Sequence, residues 1–225
     1  CGVYLNAGKE VAVASTKSFT STLIILSLIG VFFKNSFKSI KYLDNLRRLP
    51  INVEKLLADK TFRWKINDVS RLLLKNIRNV RPSIFMLGRE KMYPICKEIS
   101  LKIKEIAYIH SEGYPSGSLK HGPFAMLSRD NLVILLIDSK NREKLQLCFQ
   151  EIKARDSNII IFSDCENIED EIDLDKKYIV KLPNMEHYEE IIFTVGLQMF
   201  CYFLSINQNI NPDKPRNLAK VVTVE

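Results

Sequence analysis

Residues 131–163 read "NLVILLIDSKNREKLQLCFQEIKARDSNIIIFS". Two short apolar runs, "NLVILLI" (131–137) and "NIIIFS" (158–163), flank a stretch that reads as a helix over 141–154. A strand without polar alternation is buried on both faces. Strand, helix, strand in this order predicts parallel strands, with helices covering both faces of the sheet. The fold class expected is therefore α/β.

The pattern continues on either side. "SIFMLG" (83–88) is another buried strand, followed by a helix over 90–110, and "YIVKLP" (178–183) is a fourth strand before a helix at 187–206. Ligands of such sheets usually sit beyond the carboxyl ends of the strands. The segment 208–225 has two prolines and a polar middle, yet "NLAKVV" carries enough apolar residues to pack down.

Upstream the rhythm changes. Residues 2–6 read as a short strand, and Ser15 and Thr16 as an N-cap before a buried helix reaching Phe33. Its apolar run, Leu23–Phe33, is shorter than the ~20 residues that cross a bilayer, so no membrane partner is expected. Helices follow at 38–58 and 65–80, separated by a loop-like "ADKTFRW" and closed by Arg81-Pro82. The chain opens on "CGVYLNAG", an apolar strand-like run that reads as a cut inside a domain.

Net charge is +7, but residues 1–81 hold 15 Lys/Arg against 5 Asp/Glu and the remainder 18 against 21. The basic residues are scattered over two amphipathic helices without interleaved aromatics, which indicates solvated faces rather than a nucleic-acid surface. Five cysteines (Cys1, Cys96, Cys148, Cys165, Cys201) lie far apart without CxxC spacing, as in a reduced cytoplasmic protein. His110, His121 and His187 show no metal-ligand spacing, so neither a metal nor a cofactor is expected.

Chemistry concentrates in "LKIKEIAYIHSEGYPSGSLKHGP" (101–123). Spacings of four and three put Glu98, Lys102 and Glu105 on one helical stripe, beside an apolar stripe of Ile95, Ile99, Ile103 and Ile106. The bland reading is a surface ion pair worth ~0.3–0.5 kcal/mol. Against it, a Gly/Pro loop then presents His121, a natural proton shuttle near neutral pH. A half-buried carboxylate can act as a base. Lys220, in an ordered tail, supplies an amine that can form a Schiff base with a carbonyl.

Three segments in order, "NAGKEVAVASTKSFT" (6–20), "LKIKEIAYIHSEGYPSGSLKHGP" (101–123) and "PRNLAKVVTVE" (215–225), resemble the isomerase half of the glutamine–fructose-6-phosphate aminotransferases. The resemblance spans almost the whole chain and implies two sugar-isomerase domains. Residues 1–81 would be the C-terminal remainder of the first and its linking helices, 82–207 the second, and 208–225 a tail over the active site. The implied reaction turns fructose 6-phosphate and glutamine-derived ammonia into glucosamine 6-phosphate. Lys220 then resembles the imine-forming lysine and Glu105 the base between C1 and C2. His121 resembles the ring-opening histidine that serves the neighbouring subunit, in a homodimer or higher homo-oligomer. Lys102 and Glu98 match residues near the sugar, and Val13, Ser15 and Ala219 match sugar contacts.

Some residues depart from the pattern. Ser118 stands where the family has a glutamate, Ile99-Ser100 replace Gly-Ala, and "VVTVE" replaces "SVTVE". The family's Ser/Thr-rich phosphate loop and its glutaminase domain would lie upstream of Cys1, so the chain by itself is expected to be inactive. Cys1-Gly2 mimics the glutaminase nucleophile, but no glutaminase sequence follows it. The alternative from another class is a non-catalytic sugar-phosphate-binding regulatory module, since fold does not fix function.

Overall fold

The structure, a computed structural model, describes residues 2–34, 38–77 and 83–220. Three helices come first: α1 (Lys17–Lys34), α2 (Lys38–Ala58) and α3 (Lys60–Ile77). Then β1 (Ser83–Gly88), α4 (Met92–Ala107), β2 (His110–Pro115), β3 (Leu132–Ile137), α5 (Arg142–Lys153) and β4 (Asn158–Ser163) follow. The chain ends with α6 (Ile168–Glu171), β5 (Ile179–Lys181), α7 (Glu189–Ile206) and a tail without regular structure.

The five strands form one sheet in the order β2-β1-β3-β4-β5, and every adjacent pair is parallel. Alternate residues of β1 feed two cores. Ile84 and Met86 pack with α3, α4 and α7, whereas Phe85 and Leu87 pack with α5 and α6. The sheet is thus covered on both faces, as the unbroken apolar strands require. The first core continues into α3 through Ile66, Val69 and Leu73, each fully buried.

Four local expectations fail. Residues 110–115 are a strand, β2, and not a loop. "HSEGYP" lacks an apolar run because β2 is an edge strand, where Gly113 and Pro115 are tolerated. "ADKTFRW" is almost wholly helical: Asp59 alone separates α2 from α3, and its carboxylate caps α3 by accepting from the N–H groups of Thr61 (2.8 Å) and Phe62 (3.2 Å). Residues 2–6 form no strand and are exposed, lying outside the sheet whose edges are β2 and β5. Finally, α1 has no buried residue. Phe19, Leu23 and Ile24 lean on the core, but Phe32 and Phe33 are 77 % and 79 % exposed, since α2 and α7 flank one side only. By length and composition α1 and α7 are each apolar enough to cross a membrane, but most of α7 is core. The Arg81-Pro82 stop and the final "VVTVE" lie outside the described residues.

One close approach positions everything that follows. A Cβ on Gly113 of β2 would stand 2.6 Å from the Lys97 backbone nitrogen and 2.7 Å from the Cys96 carbonyl carbon, both in α4. The helix can therefore lie directly on the edge strand only while that residue lacks a side chain. Gly113→Ala is expected to destabilise the fold by about 1–3 kcal/mol through overpacking. At roughly 2–4 °C per kcal/mol for a chain of this size, thermal denaturation followed by circular dichroism would register the loss. An unchanged midpoint would mean that α4 is not held by this contact.

Candidate active site

Helix α4 follows β1 and ends where β2, parallel to β1, begins. It therefore runs back along the sheet, and its last turns lie toward the amino ends of the strands. Lys102 and Glu105 belong to those last turns and Glu98 to the middle of the helix, so the row does not sit at the carboxyl edge that the fold class suggests. Tyr108, with φ 57°, adopts the left-handed conformation at the end of α4 and turns the chain into β2.

The stripe read from spacing is present. Lys102 Nζ lies 2.8 Å from Glu105 and 3.3 Å from Glu98. This is not the bland surface pair, because Lys102 is only 4 % exposed. Burial opposes its positive charge, but the Glu105 hydrogen bond and the charges of both glutamates outweigh it, so its pKa stands above the ordinary lysine value. Ile95, Ile99, Ile103 and Ile106 are buried beside the row, as their spacing predicts. The row faces α7, where burial pushes the Cys201 thiol up within reach of the charges of Lys102, Glu98 and Glu105. Ser100, one of the departing residues, faces the strand and accepts a hydrogen bond from Ser111 (3.1 Å).

A second group gathers just before α1. Lys220 Nζ lies 3.4 Å from the Val13 carbonyl oxygen and 3.4 Å from Glu10 Oε2. Glu10 was not singled out by sequence reasoning, yet it organises this corner. Its Oε1 accepts from the N–H groups of Thr16 (2.7 Å) and Ser18 (3.4 Å), and its Oε2 from Ser18 Oγ (2.5 Å). Thr16 does occupy the N-cap position, its carbonyl accepting from Thr20 N–H. The capping carboxylate, however, comes from Glu10 and not from Ser15 or Thr16, as the positive end of a helix dipole favours. Burial works to raise the Glu10 pKa, but the hydrogen bonds from Ser18, Thr16 and Ser15 outweigh it and hold it at about 2. The signal in the sequence was a glutamate six residues ahead of a Thr-x-Ser helix start, a spacing outside the usual capping box.

The tail ties the two groups together. Arg216 stacks on the Tyr108 ring at 4.3 Å, and its N–H donates to the Tyr108 hydroxyl at 2.6 Å. Tyr108 lies three residues beyond Glu105. Val13 N–H donates to the Asp213 carbonyl (3.5 Å), and Gln198 of α7 donates to the Thr16 carbonyl (3.3 Å). Gln198 is one helical turn from Cys201, so both groups rest on the middle of α7. Ala219 precedes Lys220 on the exposed side of the tail.

His121 is not brought to either group. It ends the 3-10 turn Ser116–His121 and is exposed, while Leu119 beside it packs into the core shared with α5. That is the opposite face of the sheet from α4. Ser118, in the same turn, is exposed. Cys96, Cys148, Cys165 and Cys201 are free and buried. Among the described residues no group of His, Cys, Asp and Glu is arranged to hold a metal ion.

Comparison with known proteins agrees with the fold. Residues 76–207, more than half of the chain, match the sequence profile of the SIS domain. The chain belongs to the SIS domain family. It is 37 % identical, over 99 % of its length, to a probable glutamine–fructose-6-phosphate aminotransferase [isomerizing] of Acanthamoeba polyphaga mimivirus. It is 36 % identical, over 98 % of its length, to the glutamine–fructose-6-phosphate aminotransferase [isomerizing] of Escherichia coli strain K12. In both cases this SIS chain spans 36 % of the relative, about a third of its length. Among solved structures, the C-terminal domain of glucosamine-fructose-6-phosphate aminotransferase from Francisella tularensis superposes with a TM-score of 0.81 at 31 % identity. That match covers 93 % of this chain and 59 % of the other. A glucosamine-6-phosphate deaminase from Thermotoga maritima, at 22 % identity and a TM-score of 0.70, shares the fold.

Proposed function

We propose that this chain is the isomerase part of a glutamine–fructose-6-phosphate aminotransferase. The parent protein would convert fructose 6-phosphate and glutamine-derived ammonia into glucosamine 6-phosphate, the entry step to amino-sugar synthesis. The observation that carries the reading is the docked tail. An amine seated on the Val13 carbonyl, on a strap pinned three residues past Glu105, is an arrangement a purely structural terminus does not need. The likeness to the named aminotransferases along almost the whole chain supports it.

The roles follow from the chemistry. Lys220 Nζ adds to the C2 carbonyl of the open-chain ketose and water leaves, forming an imine. Ammonia displaces the lysine at C2. Glu105 then takes a proton from C1 and a proton is delivered to C2. As the C1 hydroxyl loses its own proton, C1 becomes the aldehyde carbon of the amino sugar. Lys102 holds the Glu105 carboxylate in place, and Glu98 shares that lysine. Val13, Ser15 and Ala219 contact the sugar. His121 opens the ring, and from its exposed place across the sheet it does so in the site of a second copy, which makes the working unit a homodimer or higher homo-oligomer.

Residues 1–81 are read as the remainder of a preceding domain of the same type, residues 82–207 as the second domain and 208–225 as the tail. The phosphate-binding loop and the glutaminase belong to the rest of the parent chain. The test is an assay of the full-length protein with fructose 6-phosphate and glutamine, in which glucosamine 6-phosphate and glutamate should appear together. This chain alone should form no amino sugar. Tight sugar-phosphate binding by the full-length protein with no amino sugar formed, from glutamine or ammonia, would identify a regulatory binding module instead.

A further inference from the structure

Glu10 is the least explained charge near the proposed site. It lies in the segment before α1, its side chain is 13 % exposed, and among the described residues Lys220 is its ion-pair partner. Three donors from the first turn of α1 fix both carboxylate oxygens. The same donors keep it ionised far below neutral pH. A carboxylate whose two oxygens are already engaged by these donors is a poor proton acceptor. What remains is a fixed negative charge, held by the protein at 3.4 Å from the amine nitrogen.

We propose that Glu10 is the counter-ion of the protonated Lys220 imine, a positioning residue that holds the nitrogen against the Val13 carbonyl and favours its cationic form. The inference rests on the reading of Lys220 as the imine-forming amine. When Nζ adds to C2 as the neutral amine, one proton from nitrogen and one from solvent leave with the C2 oxygen as water, and the resulting C=N nitrogen keeps one proton and a unit positive charge. No oxidant or reductant is involved. That cation withdraws electrons from C2 and activates it toward the ammonia that displaces the lysine. The neutral imine does so far less, so a charge that keeps the nitrogen protonated promotes the next step. An opposite charge within ~4–6 Å moves a pKa by about 1–3 units toward the charged form. Preorganisation matters here: Glu10 is already held by α1 before the sugar arrives and does not have to be ordered by it.

The other charged groups nearby do not replace it. Lys17 and Lys9 are positive, and Lys17 Nζ is engaged by the Lys9 carbonyl (2.6 Å). Arg216 is stacked on Tyr108 at the end of α4. Asp213 in the tail meets Val13 through its backbone carbonyl. From α7 the approaching side chain is the uncharged Gln198.

The experiment uses the full-length protein, fructose 6-phosphate and cyanoborohydride, which reduces the iminium form selectively. The reduced adduct on Lys220 is measured by peptide mass spectrometry across a pH series. In the native protein trapping should persist into the alkaline range. In Glu10→Gln the alkaline limb should move down by about 1–3 pH units. Glu10→Asp, which keeps the charge but draws it back, should show a smaller shift in the same direction. If loss of the α1 cap prevents Glu10→Gln from folding, as melting would reveal, Glu10→Asp carries the test. A limb that does not move in the folded variant overturns the counter-ion role while leaving Lys220 as the imine former. Absence of any Lys220 adduct in the native protein overturns both.

Discussion

Replacing Lys220 by alanine in the full-length protein is expected to abolish amino-sugar formation while glutamine hydrolysis continues. The fall in turnover should be on the order of 10^4–10^6-fold, the range for removing a covalent nucleophile. Structural damage does not account for a loss of that size. Lys220 sits in the tail with its side chain 36 % exposed, and its polar contacts are Glu10 and the Val13 carbonyl. Exposed pairs of this kind contribute about 0–1 kcal/mol, so the variant should melt close to the native temperature. Glutamate and glucosamine 6-phosphate are measured separately, because the proposed function assigns the two reactions to different parts of the parent protein. Lys220→Arg sharpens the result: it keeps a positive charge for Glu10, but a guanidinium does not deprotonate to attack a carbonyl. It should lose the sugar reaction as fully as alanine does. Undiminished glucosamine 6-phosphate from either variant would remove the lysine from the mechanism.

The parts of the molecule that were legible beforehand share a physical property: they are decided by local pattern. β1, β3 and β4 are unbroken apolar runs because both faces are buried, and each was placed to within a residue. The Glu98–Lys102–Glu105 row follows from helical geometry alone, once the helix is granted. What was missed depends on neighbours distant in sequence. β2 becomes a strand because β1 offers it a parallel partner, not because "HSEGYP" prefers to be extended. The exposure of α1 depends on which elements stand beside it, and an apolar composition does not encode that. Glu10 is the clearest case. Its importance lies in a contact with a residue 210 positions away, and a glutamate before a helix carries no mark of that. His121 shows the opposite risk. Closeness in sequence to Lys102 and Glu105 suggested one shared site, yet the turn after β2 carries it to the other face of the sheet.

Glu105→Gln separates the two chemical steps that Lys220→Ala removes together. The glutamine side chain has nearly the same shape, and its carbonyl oxygen still accepts from Lys102, which also keeps Glu98 as an ionic partner at 3.3 Å. No charge is left buried without a partner, so the large penalty for breaking a buried ion pair is avoided. Glu105 itself is 21 % exposed along its side chain, open enough to meet a substrate and covered enough to be held. What the amide cannot do is take a proton from C1. Overall turnover should therefore fall by roughly 10²–10⁴-fold, the usual contribution of a positioned base. The Lys220 imine should still form, and cyanoborohydride should trap it in about native yield because Glu105 acts only after the lysine has left C2. In heavy water, exchange of the C1 hydrogen should cease. Full trapping with no exchange assigns the amine and the base to separate steps. Normal exchange in this variant would show that another group moves the proton, and that the buried row on α4 serves the fold and not the reaction.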